Sequence, residues 1–298
     1  MTYQQLGNSE LYVSKVSFGC MSLGNDDAKN SSLLHSAYDN GINFFDTADL
    51  YQNGENEISL GKAFKGIRDK VLIATKVGNQ LKPDGSGWIW NPSKEYIIQA
   101  VEKSLKRLNT DYIDLYQLHG GTIEDPIDET IEAFEKLKAE GKIRYYGISS
   151  IRPNVIREYV KKSNITSVMM QYSILDRRPE ESCLDLLYEN NIGVLSRGGV
   201  AKGLLIDKPA KTYLNYTEKE VEKIQYYIKD LIGKEKSPAQ LALQFVLQHP
   251  ALSSAVSGIR TQEQLLDLVK VYEVPWLKED EYSQLQNVLP VNFYEQHR

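Results

Sequence analysis

Eight short apolar runs, each followed by a segment of helical periodicity, constrain this chain more than any other feature. The runs lie at Val16–Cys20, Ile42–Phe45, Val71–Thr75, Ile113–Leu118, Ile143–Ile148, Ser167–Met170, Gly193–Leu195 and Ala255–Val256. Many lack the alternation of a sheet with one wet face, so they read as parallel strands buried on both sides. The helical segments cover 28–39, 55–66, 93–108, 128–140, 153–163, 181–190, a long region from 217 to 248, and 261–271. Asn91-Pro92-Ser93 and Ser237-Pro238 mark two helix starts, and Gly41 and Gly141 stand where a C-cap belongs. Eight such units in 298 residues fit one α/β domain, residues 1–298, closed into a (β/α)8 TIM barrel. An open doubly wound sheet is the alternative, weakened because no Gly-x-Gly-x-x-Gly follows the first strand. Residues 3–15 read as a β-hairpin around Gly7-Asn8-Ser9, able to cap the bottom of the barrel. The stretches 77–92 and 198–216 read as irregular loops on the C-terminal face, and the tail has helical character around Leu277–Leu289.

Composition narrows the partners. With 35 Lys and Arg against 40 Asp and Glu, the net charge is −5, which argues mildly against nucleic acid or an anionic membrane. No apolar run approaches the roughly 18 residues of a membrane span. The first residues lack the basic and apolar blocks of a signal peptide. Two cysteines, Cys20 and Cys183, make no disulfide framework, so reduced thiols and a cytoplasmic location are expected.

The chemistry-bearing residues fall at strand ends, which a barrel gathers at one mouth. Asp46 ends the second run, Lys76 the third and His119 the fourth; Ser149 and Ser150 follow the fifth and Gln171 the sixth. Tyr51 lies just past Asp46. A buried carboxylate needs a cation, and Lys76 is the first candidate. A phenol of pKa about 10 is a poor acid at neutral pH unless a cation stabilises its anion. Lys76 can supply that charge, Asp46 can hold Lys76, and His119 can hydrogen-bond a carbonyl oxygen. Together they would polarise a C=O group and protonate it. Without Tyr51 and His119, the Asp46–Lys76 pair would read equally well as a structural ion pair.

The motifs Gly41–Tyr51, Ala74-Thr75-Lys76, Tyr112–His119, Gly141–Ser149 and Met170–Ser173 occur in the order found in the aldo-keto reductase superfamily. The chain resembles that superfamily over essentially its whole length, its bacterial general and stress-type members in particular. The resemblance implies hydride transfer from NADPH, preferred over NADH, to an aldehyde or ketone. It puts the catalytic tetrad at Asp46, Tyr51, Lys76 and His119, with Tyr51 as general acid. It assigns Ser149, Ser150 and Gln171 to the nicotinamide carboxamide. The segment from Gly198 to Leu204, with Lys202 and Gly203, falls to the pyrophosphate. Gly258, Arg260 and Thr261 fall to the adenosine 2′-phosphate at a helix N-terminus, and Gln264 and Asp267 to the adenosine. No metal ligands are assigned.

Three positions depart from the family pattern. Ser150 and Leu268 stand where Asn is usual, and Arg197 stands where an aromatic ring usually stacks on the nicotinamide. A guanidinium can stack on a ring but would repel an oxidised, cationic one; reaching the pyrophosphate is its other option. Trp88, on the Gly-rich stretch 85–92, either packs on the rim or walls the substrate pocket. Cys20 is expected to face the same mouth, as a packing residue rather than a nucleophile. His35, His249 and His297 read as structural or surface residues. The partners expected are a small carbonyl compound and no other chain, the protein being a monomer. Two further readings remain: an NADPH-binding regulatory module without turnover, and an enzyme oxidising a polyol or sugar.

Overall fold

The computed structural model describes all of residues 1–298. The strands are β1 (Tyr3–Gln5), β2 (Tyr12–Ser14), β3 (Val16–Gly19), β4 (Phe44–Asp46), β5 (Leu72–Val77), β6 (Asn79–Leu81), β7 (Trp88–Trp90), β8 (Ile113–Leu118), β9 (Ile143–Ser149), β10 (Ser167–Gln171), β11 (Gly193–Arg197) and β12 (Leu252–Gly258). The helices are α1 (Asp27–Asp39), α2 (Glu55–Ala63), α3 (Lys94–Leu108), α4 (Ile127–Ala139), α5 (Pro153–Lys162), α6 (Cys183–Glu189), α7 (Glu218–Ile232), α8 (Pro238–Leu247), α9 (Gln262–Val269) and α10 (Glu279–Asn287). Strands β3, β4, β5, β8, β9, β10, β11 and β12 pair in that order, all parallel, and β12 closes on β3. This is the (β/α)8 barrel that the strand–helix alternation implied.

Two apolar layers hold it. Outward-facing strand residues such as Val16, Phe18, Ile73 and Ile148 join the inner faces of the helices in one large buried cluster. A smaller cluster fills the lower barrel, where Phe44, Ala74, Leu115, Met169 and Leu195 meet Leu6, Leu11 and Val13 of the N-terminal hairpin. The hairpin, β1 against β2, therefore plugs the bottom as expected. Burying each of its three aliphatic side chains contributes about 1.5–3 kcal/mol. Gly7 is required at its tip: φ is +54°, and a Cβ there would lie 2.3 Å from the Thr166 carbonyl oxygen.

The apolar run Ile113–Leu118 hides an acid. Asp114 is fully buried between Arg68 at 2.7 Å and Arg144 at 3.2 Å, and it accepts the Ile73 amide at 2.9 Å. The carboxylate is thus fully partnered inside the sheet.

The structure differs from the sequence expectation after β5. The stretch 77–92 is not irregular: β6 and β7 form a hairpin on the C-terminal face, Asn79 opposite Trp90 and Leu81 opposite Trp88. Its turn is Asp84-Gly85-Ser86-Gly87, with the Asp84 carboxylate accepting the Ser86 amide at 2.9 Å. That Asx turn was readable, but the glycines around it masked two three-residue strands. The long region 217–248 is two helices, the second opening at the Ser237-Pro238 start marked in the sequence. Helix α7 ends at Gly233, and Ser237 caps α8 with Gln240 completing a capping box and Pro238 in the first turn. Helices α7 and α10 pack together outside the eight-fold repeat.

Candidate active site

Adjacent strands bring the four expected residues together at the barrel mouth. Asp46 ends β4, Lys76 is the fifth residue of β5, and His119 directly follows β8. Asp46 pairs in register with Ala74, and Lys76 with Gln117. The Lys76 ammonium donates to Asp46 Oδ2 at 2.6 Å and to the Thr47 carbonyl at 2.6 Å. Its third contact is the Tyr51 hydroxyl at 3.5 Å. Three donors thus meet three oxygens, which lets a cation exist where almost no water reaches. The rings of Tyr51 and His119 stand edge to face, 6.0 Å between centroids and 82° apart.

Tyr51 is held by an unusual turn. Gln52, Asn53 and Gly54 all have left-handed backbone, at φ 51°, 55° and 94°. For the two non-glycine residues this costs on the order of 1–2 kcal/mol each. The Gln52 amide anchors the turn by donating to the Leu23 carbonyl at 3.1 Å. Behind it, Arg107 of α3 packs on Gly54 and donates to Glu57 at 2.6 Å, while Glu57 accepts the Thr75 hydroxyl at 2.6 Å. Asp49 lies in the same buried pocket. Burial and the neighbouring Glu57 push its pKa up to about 8.

The charge states follow from these surroundings. Burial alone would lower Lys76, but Asp46 and the Tyr51 oxygen outweigh it and hold its pKa above the ordinary lysine value. Burial raises Asp46, against the pull of Lys76 and Gln117. Burial also raises the Tyr51 phenol; Lys76 pulls it down, with a smaller pull from Arg197, without reversing the shift. Tyr51 therefore keeps its proton at neutral pH. Burial, then Lys76 and Arg197, bring His119 down to about 3, so its imidazole is neutral. His119 Nδ1 is buried and has no partner within the protein.

Four contributors escaped the sequence reading. Gln117, fully buried, donates to Asp46 Oδ1 at 3.3 Å. Strand parity could have found it, because in β8 it shares the inward face of Leu115. Thr47 contributes a carbonyl, which no side-chain pattern reveals. Asp176 and Tyr213 accept the Gln171 side-chain amide at 2.8 and 3.1 Å.

The other expected residues lie around the same mouth in varied states. Ser149 ends β9, and the Ser150 hydroxyl accepts the Arg152 amide at 3.1 Å, leading into α5. Arg197 ends β11 and is exposed, donating to Gln171 Oε1 at 3.0 Å. The segment after it has left-handed backbone at Gly198, Ala201, Lys202 and Gly203. The Gly198, Gly199 and Val200 amides donate to no protein acceptor. Lys202 is exposed, whereas Leu204 is buried, leaving only its backbone to offer. Gly258 at the end of β12 and Arg260 just past it are exposed, and the Thr261 hydroxyl caps α9 by accepting the Gln264 amide at 3.2 Å. The Gln264 side chain turns back to the Arg260 amide at 2.9 Å. Asp267 accepts the Ser237 hydroxyl at 2.7 Å and so ties α9 to α8. Leu268 is buried, which accounts for an apolar residue there.

Cys20 and Trp88 lie at opposite extremes of exposure. Cys20 is wholly buried beneath the mouth, its thiol pushed well above the ordinary range by burial and Asp46, and it offers a substrate no surface. Trp88 is 50% exposed on the β6–β7 hairpin. Trp90 is the one that turns inward: its ring covers Gly78 and Gly120, and its indole N–H donates to Asp125 at 3.0 Å. A Cβ at Gly78 would sit 2.5 Å from that ring.

An acid, a lysine, a phenol and a neutral imidazole thus meet at the C-terminal mouth of a closed barrel. The chain belongs to the aldo/keto reductase family, whose model matches residues 15–290. It is 50% identical to the uncharacterized oxidoreductase YqkF of Bacillus subtilis, over 100% of both chains. It is 34% identical to the aldo-keto reductase yakc [NADP(+)] of Schizosaccharomyces pombe, over 68% of this chain and 62% of that one. The solved holo form of aldo-keto reductase AKR11C1 from Bacillus halodurans superposes with a TM-score of 0.94 at 50% identity, covering 100% of this chain and 99% of that one.

Proposed function

We propose that this protein reduces an aldehyde or ketone to the alcohol by direct hydride transfer, with NADPH as donor and Tyr51 as general acid. The observation that carries the proposal is the Tyr51 hydroxyl, protonated and 3.5 Å from a lysine ammonium that is itself locked to Asp46. A phenol so placed can release its proton to a carbonyl oxygen because the ammonium stabilises the phenolate left behind. Neutral His119 offers a hydrogen bond to the same oxygen and fixes its direction. Asp46, Gln117 and the Thr47 carbonyl keep Lys76 from swinging away.

The residues present fit a dinucleotide phosphate. Unpartnered amides at Gly198, Gly199 and Val200 suit a pyrophosphate, with Lys202 beside them. The N-terminus of α9, with Arg260 and Thr261, suits a terminal phosphate. The cofactor named for the fission-yeast relative agrees with this choice. When bound, a reduced nicotinamide supplies the hydride. We further propose a single-domain, cytoplasmic monomer acting on a small carbonyl compound.

Turnover of a panel of aldehydes with NADPH, followed at 340 nm, tests the proposal. Tyr51→Phe should abolish turnover and leave NADPH affinity within about twofold. Full activity in that variant would refute the assignment; NADPH binding without turnover in the wild type would favour a regulatory module.

A further inference from the structure

We propose that Arg197 makes the protein bind the reduced nicotinamide cofactor more tightly than the oxidised one, so that the resting complex is the one ready to reduce a carbonyl. The proposal rests on the cofactor reading above.

Arg197 is the cation whose field reaches the reacting groups without a carboxylate partner of its own. The Asp46–Lys76 pair cancels, Tyr51 keeps its proton and His119 is neutral. The Arg197 guanidinium donates from Nη1 to Gln171 Oε1 at 3.0 Å. The acid on the far side of Gln171 is not free to compensate it. Asp176 is held by Arg178 through two bonds, at 2.7 and 2.8 Å, and also accepts the Gln171 amide. Gln171 and Arg197 are neighbours in register on β10 and β11, so this geometry is set by the barrel rather than by a loop. Gly198 keeps the contact close: a Cβ there would lie 3.3 Å from Gln171 Cγ.

The field of this cation reaches Asp46, Tyr51 and His119. A carbonyl oriented by Tyr51 and His119 must receive its hydride from a carbon in van der Waals contact. The ring bearing that carbon therefore lies in the same field. The ring is neutral when reduced and carries one positive charge when oxidised, so a fixed guanidinium discriminates between the forms. With Arg197 exposed and its field partly screened, the discrimination expected is about tenfold to a hundredfold. The benefit lies in occupancy and product release, since the cation does not help the hydride to leave.

Equilibrium titration of the full chain at pH 7 tests this, using NADPH fluorescence and displacement of NADPH by NADP+. The wild type should bind NADPH at least about tenfold more tightly than NADP+. In Arg197→Met that ratio should fall by about fivefold or more, mainly through tighter NADP+ binding, whereas Arg197→Lys should retain it. Added salt should narrow the wild-type ratio. Equal weakening of both forms in Arg197→Met would overturn the inference and assign Arg197 to the pyrophosphate. An unchanged ratio in both Arg197→Met and Arg197→Gln would overturn it outright. Failure of the wild type to bind either form would bring down the cofactor reading, and this inference with it.

Discussion

Removing the buried ion pair one member at a time, and then together, separates its structural role from the catalytic one proposed for it. Lys76 and Asp46 are 1% and 5% exposed at the side chain, with nitrogen and oxygen 2.6 Å apart. Lys76→Met strands a carboxylate with only the Gln117 amide, and Asp46→Asn leaves an ammonium facing two neutral oxygens and an amide. Each single change should destabilise the fold by about 3–5 kcal/mol, the usual penalty for orphaning a buried charge. The double variant Asp46→Asn/Lys76→Met buries no net charge and should recover most of that loss. Activity should not recover. Unit charges at the 3.5 Å between Lys76 Nζ and the Tyr51 oxygen interact by about 5 kcal/mol at an effective dielectric of about 20. If about half of that charge develops in the transition state, Lys76→Met slows turnover by roughly 50-fold, and more as the phenolate becomes complete. The assay is chemical denaturation for stability and single-turnover oxidation of NADPH for chemistry, on all four proteins. A double variant that is stable and still turns over at the wild-type rate would refute the argument, for the pair would then be structural alone.

Three further outcomes follow from other parts of the molecule. Asp49, with a folded pKa of about 8 against 3.8 unfolded, holds its proton in the folded state where the unfolded chain has lost it. Its contribution to stability is full below pH 3.8 and declines as pH rises towards 8, so Asp49→Asn should flatten thermal stability over that window and be the more stable protein at pH 8. Gly61 in α2 faces α3 so closely that a Cβ would lie 2.6 Å from the Leu108 carbonyl oxygen; Gly61→Ala should cost about 1–3 kcal/mol in urea denaturation. On the proposed reading of the α9 N-terminus, Arg260→Ala should raise the KM for NADPH about tenfold, leave that for NADH nearly unchanged, and leave the melting temperature alone because Arg260 is exposed.

Much of this was legible in the chain itself. Continuous apolar runs separated by helical periods admit few closed solutions, because parallel strands must be covered on both faces. The positions of Asp46, Lys76 and His119 at run ends implied that they would meet, since a parallel barrel turns sequence-distant strand ends into neighbours. Strand ends are local features, which is why reading them worked. The β6–β7 hairpin was missed because three-residue strands leave no periodicity, and the inward turn of Trp90 rather than Trp88 depends on the register of that hairpin.

What the sequence determined by itself, then, is the architecture, the hairpin plug and the company that Asp46 keeps. Only the tertiary structure decided that burial outweighs Lys76 in setting the Tyr51 pKa, and that Gln117 and the Thr47 carbonyl complete the shell of Asp46 and Lys76. It likewise showed that Cys20 is sealed away, and that Asp176, committed to Arg178, leaves Arg197 uncompensated. Hydrophobic patterning is written along the chain one element at a time. Electrostatics is a sum over groups from many elements, at distances that exist only once the barrel has closed.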